Sequence, residues 1–382
     1  MFSPTGANIR HIEKHWPDAE WDGDSQIILE EYISALKAAD DKRKFSVPEN
    51  DDFKFETKPF EHQRKAFYMS RDKENFALLM EQGTGKSKVI IDTAAHHRNW
   101  INNEIPIHLP EWCPRKSTYY YSGMSKVHKS NWAELLNSGD VLKIFTFNVE
   151  GFVSKIAKDY LANIMLSNNV LLVVDESSRI KRPGAKRTKF ITKIGKQAKY
   201  RRILTGTPVT KGPEDVFSQF KFLDPYILGY ESFYSFRAHY CIMGGFDQKQ
   251  IVGYESVNEL ITSVEGHSFR VLKKDCLDLP DKIYQRVYID LTKEQRRLYN
   301  AMKDEYIAEY QDQIIDAPEA ITRLLRLQQI TCGWFPQEEP IQIDKVNPRI
   351  KALKEILSNI DGKAIIWARF RADLRAIEAA LE

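Results

Sequence analysis

Cysteine is scarce in this chain. Four cysteines occur among 382 residues, and they are far apart at Cys113, Cys241, Cys276 and Cys332. No CxxC pair is present and no histidine is paired with them, so the residues needed for a zinc site or a disulfide framework are missing. The sequence therefore predicts reduced thiols.

Long apolar runs are also missing. No stretch approaches the roughly 18 consecutive apolar residues that a transmembrane helix requires. The N-terminal sequence MFSPTGANIRHIEK lacks both the apolar core and the small-residue cleavage site of a secretory signal. We therefore expect a cytoplasmic protein without a membrane partner.

The charge is nearly balanced overall but unevenly distributed. The net charge is +3, with 42% hydrophobic and 29% charged residues, which is typical of a globular protein of two or three domains. Residues 1–57 hold 13 acidic and 7 basic side chains, whereas Arg179–Arg202 holds 11 basic side chains and no acidic one. Such a basic segment is often a solvated helix face, but its density also predicts contact with a nucleic-acid backbone through Lys181, Arg182, Lys186 and Arg187.

A glycine-rich loop between a predicted strand and a predicted helix is typical of a nucleotide site. The strand is predicted at Phe76–Met80 and the helix at Lys88–Ala95, with Gly83, Thr84, Gly85, Lys86 and Ser87 between them. In such loops the backbone N–H groups surround a polyphosphate, the lysine reaches the β- and γ-phosphates, and the hydroxyl binds Mg²⁺. Met80 replaces the glycine of the strict pattern, and the alternative is a glycine turn with a chance Lys-Ser.

An acidic pair downstream completes the predicted site. Val170–Val174 is a continuous apolar run, as in a parallel strand buried on both faces, and it ends in Asp175 and Glu176. An aspartate there can hold the Mg²⁺ that Ser87 also binds, and the glutamate can polarise the attacking water. The alternative is an acidic start to an ordinary loop. Together the motifs predict a nucleoside-triphosphate site with Lys86, Asp175 and Glu176 as catalytic residues.

Two further segments are predicted to serve the same site. A helix is predicted to begin near Pro59, where the Gln63 amide suits an adenine edge and Phe60 suits stacking on the base. The alternative is a polar helix start with one buried aromatic. Farther along, the strand predicted at Arg201–Leu204 runs into Thr205, Gly206 and Thr207. Two hydroxyls around a flexible glycine predict γ-phosphate sensing and coupling, with a simple β-turn as the alternative.

A series of segments resembles the Swi/Snf-type ATPases of helicase superfamily 2, in particular their smaller bacterial and phage members. MEQGTGKS resembles motif I, HRNWINNEI the segment after motif Ia, and DESSRIK the DEAH-type motif II. LTGTPVTKGPEDVFSQFKFLDP is similar to motif III with its trailing helix, and Leu272–Lys282 to the KKD…LP.K segment. LTKEQRRLYNAM, LLRLQQITCG, NPRIKALKEIL and KAIIWARF follow in the family's order.

The resemblance implies an α/β fold with a RecA-like parallel-sheet ATPase domain, a mainly helical insertion and the start of a second RecA-like domain. The expected boundaries are 58–225, 226–345 and 346–382, after an N-terminal module of unknown fold at 1–57. The second RecA-like domain is expected to begin with a strand at Lys363–Trp367. The implied function is ATP hydrolysis with Mg²⁺, coupled to movement along double-stranded DNA without necessarily separating its strands.

Two parts of the family pattern are missing. The strand and turn of motif Ia, expected between Ala95 and His97, are not present, and the chain ends soon after motif IV. In the family, the later motifs V and VI carry the arginine fingers, which contribute a factor of about 10³–10⁵ in rate. We therefore expect a chain truncated after motif IV to bind ATP and Mg²⁺ but to hydrolyse ATP slowly.

Three other classes of protein share some of these features. A type III-restriction-like or DEAD-box-like helicase has both nucleotide motifs but not the Leu272–Lys282 segment and the long helices after it. A small-molecule kinase shares only the phosphate loop. A binding module would hold ATP and DNA without efficient turnover.

Overall fold

The computed structural model describes residues 45–48, 53–91, 101, 105–166, 169–280, 283–312 and 317–382. Most of the predicted N-terminal module at 1–57 and most of HRNWINNEI lie outside the described residues. The chain divides into two compact units, Met1–Pro280 and Asp281–Glu382. Within the described ranges, no helix has both the length and the apolar character needed to cross a membrane.

Strands and helices alternate along most of the first unit. The strands are β1 (Asn75–Met80), β2 (Arg115–Tyr119), β3 (Leu142–Thr146), β4 (Leu171–Asp175), β5 (Tyr200–Leu204), β6 (Cys241–Gly244), β7 (Gln250–Tyr254) and β8 (Ser268–Val271). The helices are α1 (Glu61–Ser70), α2 (Lys86–Ile91), α3 (Ile105–His108), α4 (Lys126–Asn137), α5 (Lys155–Ile164), α6 (Lys186–Gly195), α7 (Phe217–Leu223), α8 (Phe233–Tyr240), α9 (Val257–Glu265) and α10 (Lys273–Cys276).

A four-stranded parallel sheet in the order β4-β5-β1-β8 forms the centre of this unit. Leu78 of β1 lies opposite Leu204 of β5, and Met80 of β1 lies opposite Val271 of β8. In β4, Asp175 lies opposite Leu204. The apolar runs predicted as buried parallel strands are therefore confirmed, and the carboxyl ends of all four strands meet at one edge of the sheet.

Both faces of the sheet are buried because side chains alternate along each strand. Ala77 and Leu79 of β1 join a core cluster that also contains Phe220 of α7. Phe76, Leu78 and Met80 join a second cluster with α1 and α2 on the opposite face. This two-sided burial explains why the strand has an apolar residue at every position after Asn75 instead of an apolar–polar alternation.

The buried side chain of Arg202 fastens α1 to this sheet. Its guanidinium donates hydrogen bonds to the carbonyl oxygens of Ser70 at 2.6 Å, Lys73 at 2.5 Å and Glu74 at 2.8 Å. Burial lowers the pKa of Arg202 to about 10, so the side chain stays charged at neutral pH. Because these carbonyls belong to the last residue of α1 and to the turn after it, the contact fixes the helix that carries Gln63.

Two smaller sheets complete the first unit. β2 and β3 form a parallel pair, and β3 and β4 both line a cavity of about 750 Å³. β6 and β7 form an antiparallel pair with a register shift at Ile242/Met243. The segment expected to be a mainly helical insertion, 226–345, thus also contains strands, and β8 within it belongs to the central sheet. The domain boundaries given above remain predictions.

The second unit is largely helical. It contains α11 (Lys293–Asp312), α12 (Ala317–Thr331), α13 (Pro348–Leu357) and α14 (Arg371–Leu381), with the short antiparallel pair β9 (Trp334–Phe335) and β10 (Ile341–Gln342). The strand predicted at Lys363–Trp367 is wrong: this segment belongs to no strand or helix of the described chain, and Trp367 is 91% exposed. An apolar run becomes a sheet strand only when a neighbouring strand takes up its backbone hydrogen bonds.

Candidate nucleotide-binding site

Four functional segments follow the four strands at the carboxyl edge of the central sheet. The phosphate loop follows β1, the Asp175–Glu176 pair ends β4, the Thr205–Thr207 turn follows β5, and α10 follows β8. In open parallel sheets, ligands bind outside the carboxyl ends of the strands. The fold therefore brings together segments that are separated by almost 200 residues in the sequence.

The phosphate loop has the backbone conformation that its glycines permit. Gly83 has φ 85° and Gly85 has φ 78°, values in the left-handed region that side chains with a Cβ disfavour. Between them Thr84 is buried, and its hydroxyl donates to the Glu81 carbonyl at 2.7 Å. This hydrogen bond closes the loop on itself at the end of β1.

Gln63 of α1 is bound to the phosphate loop. Its Oε1 accepts from the backbone N–H of Phe60 at 3.0 Å, and its Nε2 donates to the Thr84 carbonyl at 3.2 Å. The ring of His62 also lies 2.8 Å from that carbonyl. A primary amide has two donors and two acceptor lone pairs, so one of each is left for adenine recognition, which stays a prediction.

Phe60 is exposed on the surface beside this loop. Its ring is 60% exposed and stacks on His62 with 5.7 Å between ring centroids. The alternative of a helix start with a buried aromatic is therefore excluded for Phe60. An exposed aromatic ring next to the phosphate loop is suited to stacking on a base.

Lys86 is buried among charged groups. Its ammonium lies 3.5 Å from the Glu81 carbonyl. Burial lowers the pKa of Lys86, the negative charges of Glu176 and Asp175 act in the opposite direction, and the positive charge of Lys273 lowers it further. The acidic pair of β4 and the lysine of the phosphate loop are therefore close enough to interact electrostatically, as the sequence predicted for two halves of one site.

Glu176 adopts an unusual backbone conformation. Its φ is 48° and its ψ 54°, in the left-handed region, and its N–H donates to Asp175 Oδ1 at 2.9 Å. A residue other than glycine in this region costs about 1–3 kcal/mol and is most often retained at functional sites. Glu176 is exposed at this turn, directly after the strand that Asp175 ends.

The donor set suits Mg²⁺. Ser87 supplies a hydroxyl and Asp175 a carboxylate, and both follow strands that end at the same edge. Mg²⁺ prefers oxygen ligands and is usually held by one or two carboxylates together with phosphate and water oxygens. Such a site does not need three clustered acidic, histidine or cysteine side chains, and the described residues contain no such cluster.

The Thr205–Thr207 turn packs directly on the phosphate loop. A Cβ built on Gly206 would lie 2.9 Å from the backbone nitrogen of Gln82 and 3.3 Å from the carbonyl oxygen of Met80. Thr205 is completely buried, and its hydroxyl accepts from the Thr207 N–H at 3.1 Å. A glycine is therefore needed at position 206 for the turn to approach the phosphate loop this closely. A movement of one of these segments would displace the other.

Gln219 of α7 connects the acidic pair to this turn and was not identified from the sequence. Its Oε1 accepts from the Ser177 hydroxyl at 2.6 Å, and its Nε2 donates to the carbonyls of Pro208 and Asp215, both at 2.8 Å. Gln219 is fully buried. The only indication in the sequence was a single glutamine within the apolar segment FSQF, which suggests a buried polar side chain.

The four basic residues predicted to contact nucleic acid differ in their surroundings. Lys181 forms an ion pair with Asp215 at 3.0 Å and a hydrogen bond with Thr210, and Arg187 donates to the Arg179 carbonyl at 3.0 Å. Arg182 and Lys186 are exposed, and neither side chain has a hydrogen bond or ion pair to any described residue. On α6, Lys186, Lys189 and Lys193 lie on the solvent side, opposite buried Ile191 and Ile194.

Asp215 organises the segment after the turn. One of its oxygens, Oδ2, accepts from the Thr210 N–H at 2.9 Å, the Thr210 hydroxyl at 2.7 Å and the Lys211 N–H at 3.0 Å, in addition to Lys181. Burial alone would raise the pKa of Asp215, but these hydrogen bonds lower it to about 2. Lys181 therefore has a structural partner that the basic pattern of the sequence did not reveal.

Comparisons with known proteins identify a family. Residues 35–333 match the family model described as SNF2-related domain. The bovine (Bos taurus) protein "DNA annealing helicase and endonuclease ZRANB3" is 29% identical over 255 residues, which is 64% of this chain and 23% of that protein. The Saccharomyces cerevisiae "TATA-binding protein-associated factor MOT1" is 33% identical over 150 residues, or 38% of this chain and 8% of that protein.

The chain thus spans less than a quarter of the length of these curated relatives. A solved structure, "Sulfolobus solfataricus SWI2/SNF2 ATPase core in complex with dsDNA", aligns with 82% of this chain and 66% of that one, at 20% identity and a TM-score of 0.45. The family match covers most of the chain and includes the phosphate loop, the acidic pair and the Thr205–Thr207 turn. The resemblance to Swi/Snf-type ATPases is confirmed, and the chain belongs to the SNF2-related domain family.

Proposed function

We propose that this protein binds ATP with Mg²⁺ at the carboxyl edge of the central sheet and uses its hydrolysis to move along double-stranded DNA. The observation that supports this most strongly is the contact between motifs. Gly206 packs on the backbone of Met80 and Gln82, and the charges of Asp175 and Glu176 act on Lys86. Phosphate loop, acidic pair and turn therefore form one site.

Each residue has a role that follows from its position. The loop amides and Lys86 neutralise the triphosphate, Phe60 stacks on the base and Gln63 recognises its edge. Ser87 and Asp175 hold Mg²⁺, which when bound supplies positive charge to the phosphate oxygens. Glu176 orients the attacking water, and its exposed, strained position leaves its carboxylate free to do so.

Coupling between nucleotide and DNA would pass through the Thr205–Thr207 turn. The turn touches the phosphate loop on one side and is joined to Ser177 through Gln219 on the other. Ser177 directly follows Glu176 and lies in the segment that leads to the basic residues. A shift of the turn with the state of the nucleotide would therefore displace the start of the basic segment.

DNA binding is assigned to the exposed lysines and arginine before and on α6. Arg182, Lys186, Lys189 and Lys193 are exposed and present a row of positive charge that suits a phosphate backbone. Lys181 and Arg187 have partners within the fold, so we assign them to holding this segment in place. The relatives of this chain include a DNA annealing helicase, which supports DNA as the polymer.

The function is tested by measuring ATP hydrolysis with and without duplex DNA, and displacement of a third strand from a triplex as a readout of movement. We expect hydrolysis by the wild type to be slow and to increase with duplex DNA, and we expect Glu176→Gln to abolish it while retaining ATP binding. Stimulation by single-stranded DNA with strand separation would favour a DEAD-box-like helicase. Hydrolysis that is independent of Glu176 would overturn the proposed site.

A further inference from the structure

α10 begins with a lysine that reaches the phosphate loop from the far side of β1. A Cβ built on Gly83 would lie 3.2 Å from Cε and 3.4 Å from Nζ of Lys273. The ammonium group of Lys273 has no hydrogen bond or ion pair to any described residue, although the residue is partly buried. The cationic side chain of Lys273 thus contacts the glycine turn without forming an ion pair to any described residue.

The sheet register puts Lys273 at this position. β8 is paired with β1 so that Val271 lies opposite Met80, and the Glu81 N–H donates to the Val271 carbonyl at 3.0 Å. Two residues after Val271, the backbone N–H of Lys273 donates to the carboxylate of Glu81 at 2.7 Å. Glu81 is the residue with which the phosphate loop begins, so the backbone of Lys273 is tied to the loop and only its side chain is free.

The arrangement puts two ammonium groups at one loop. Lys86 is buried at the far end of the loop, and the Lys273 side chain lies against Gly83 at its start. Like charges held together in a partly buried site repel one another unless an anion lies between them. Glu81 accepts from the Lys273 backbone N–H, and the Lys273 ammonium forms no ion pair with Glu81 or with any other described residue.

We propose that Lys273 is a second phosphate-binding lysine, which contacts the β- and γ-phosphates of ATP from the side of the loop opposite Asp175 and Glu176. This inference rests on the proposed nucleotide site and adds a residue to it. Lys273 comes almost 200 residues after the phosphate loop in sequence and belongs to none of the segments predicted to bind nucleotide. Its role depends on the pairing of β8 with β1.

The test compares the affinities of ATP, ADP and AMP, each with Mg²⁺, for four forms of the full chain by calorimetric titration: wild type, Lys273→Gln, Lys273→Arg and Lys274→Gln. Lys274 is the matched control because it is the next residue of α10 and is exposed. We expect Lys273→Gln to weaken ATP binding about tenfold, the loss typical of one charged hydrogen bond, and to leave AMP binding unchanged. Lys273→Arg should retain most of the affinity, and Lys274→Gln all of it.

A Lys86→Ala variant separates failure of this inference from failure of the nucleotide site. If Lys86→Ala loses ATP binding but Lys273→Gln does not, Lys273 is not a phosphate ligand and the site stands. If neither variant changes ATP affinity, both proposals fail. If Lys273→Gln weakens ATP and AMP equally and lowers the melting temperature, its role is structural and the inference is overturned.

Discussion

The carboxyl edge of the central sheet and the basic surface of α6 are built in opposite ways. At the sheet edge, Gly206 packs on backbone atoms, buried side chains bridge neighbouring loops, and one glutamate is held in a strained conformation. On α6, the lysines point to solvent and have no partner among the described residues. The first region fixes the positions of a few atoms, whereas the second supplies charge that does not depend on exact geometry.

This difference predicts how each region responds to substitution. Single changes at the sheet edge should have large effects, because each group there has one position and specific neighbours. Single changes on α6 should have small effects that add together, since each lysine contributes separately to counterion release. The predictions below test that contrast.

The largest effect is expected for Lys86→Ala. Removing its ammonium deletes charged hydrogen bonds to the triphosphate, each worth about 1.5–3 kcal/mol, so the ATP dissociation constant should rise about 100-fold. Titration with ATP and Mg²⁺ measures the affinity, and a thermal melt checks that the fold is retained. A folded variant with wild-type affinity would show that the loop is an ordinary glycine turn.

Asp215→Asn tests whether the carboxylate that binds Lys181 stabilises the fold. Because the folded-state pKa of Asp215 is about 2, below its ordinary value, its ionised form stabilises the fold at pH values above about 4. We expect the variant to lose about 2 kcal/mol of unfolding free energy at pH 7 in urea titrations. The difference between variant and wild type should shrink as the pH falls from about 4 to about 2.

Asp159→Asn is the control for this experiment. Asp159 lies on α5 and is exposed, so its substitution should change the unfolding free energy by no more than about 0.5 kcal/mol. Equal effects of the two substitutions, or a constant difference down to pH 2, would contradict the assigned role of Asp215.

Gly206→Ala tests the contact between the turn and the phosphate loop. The added methyl group would lie 2.9 Å from the Gln82 nitrogen, so one of the two loops must shift. We expect ATP affinity to fall about tenfold, within the 1–3 kcal/mol typical of overpacking. Gly184→Ala is the control, because a Cβ at Gly184 meets no atom within 4 Å. If both variants bind ATP equally, the two loops are not coupled.

The smallest change is expected on the basic helix. Lys186→Gln with Lys189→Gln removes two exposed charges, which should reduce the slope of log affinity against log salt on duplex DNA by about 1.8. Lys126→Gln with Lys129→Gln is a matched control, since these exposed lysines have the same spacing at the start of α4. If the slope falls by a similar amount in both double variants, DNA binding depends on the overall charge of the protein and α6 is not a DNA-binding surface.

The same contrast explains how much the sequence revealed. The phosphate loop and acidic pair were recognised because their chemistry needs particular residues next to one another in sequence. The buried strands before them were recognised from their continuous apolar character. Both are local properties. The structure confirms the strands and places the loop and the acidic pair at the same edge of the sheet.

Long-range contacts could not be predicted in this way. Gln219, the ion pair of Lys181 with Asp215, and the approach of Lys273 to Gly83 all join segments far apart in the sequence. Charge density alone does not distinguish Lys181, which has partners in the fold, from the exposed lysines of α6. The apolar run at Lys363–Trp367 predicted a strand for a similar reason, because the pattern does not show whether a pairing neighbour is present.

The central claim is that ATP and DNA are bound by these two different regions. It is tested most directly by measuring ATP affinity and the salt dependence of duplex binding on Lys86→Ala and on the Lys186→Gln/Lys189→Gln pair. We predict opposite results for the two variants. Lys86→Ala should lose ATP affinity but retain the wild-type salt dependence of duplex binding. The Lys186→Gln/Lys189→Gln pair should retain ATP affinity but show a weaker salt dependence of duplex binding. If Lys86→Ala remains folded and binds ATP as tightly as the wild type, the account is contradicted.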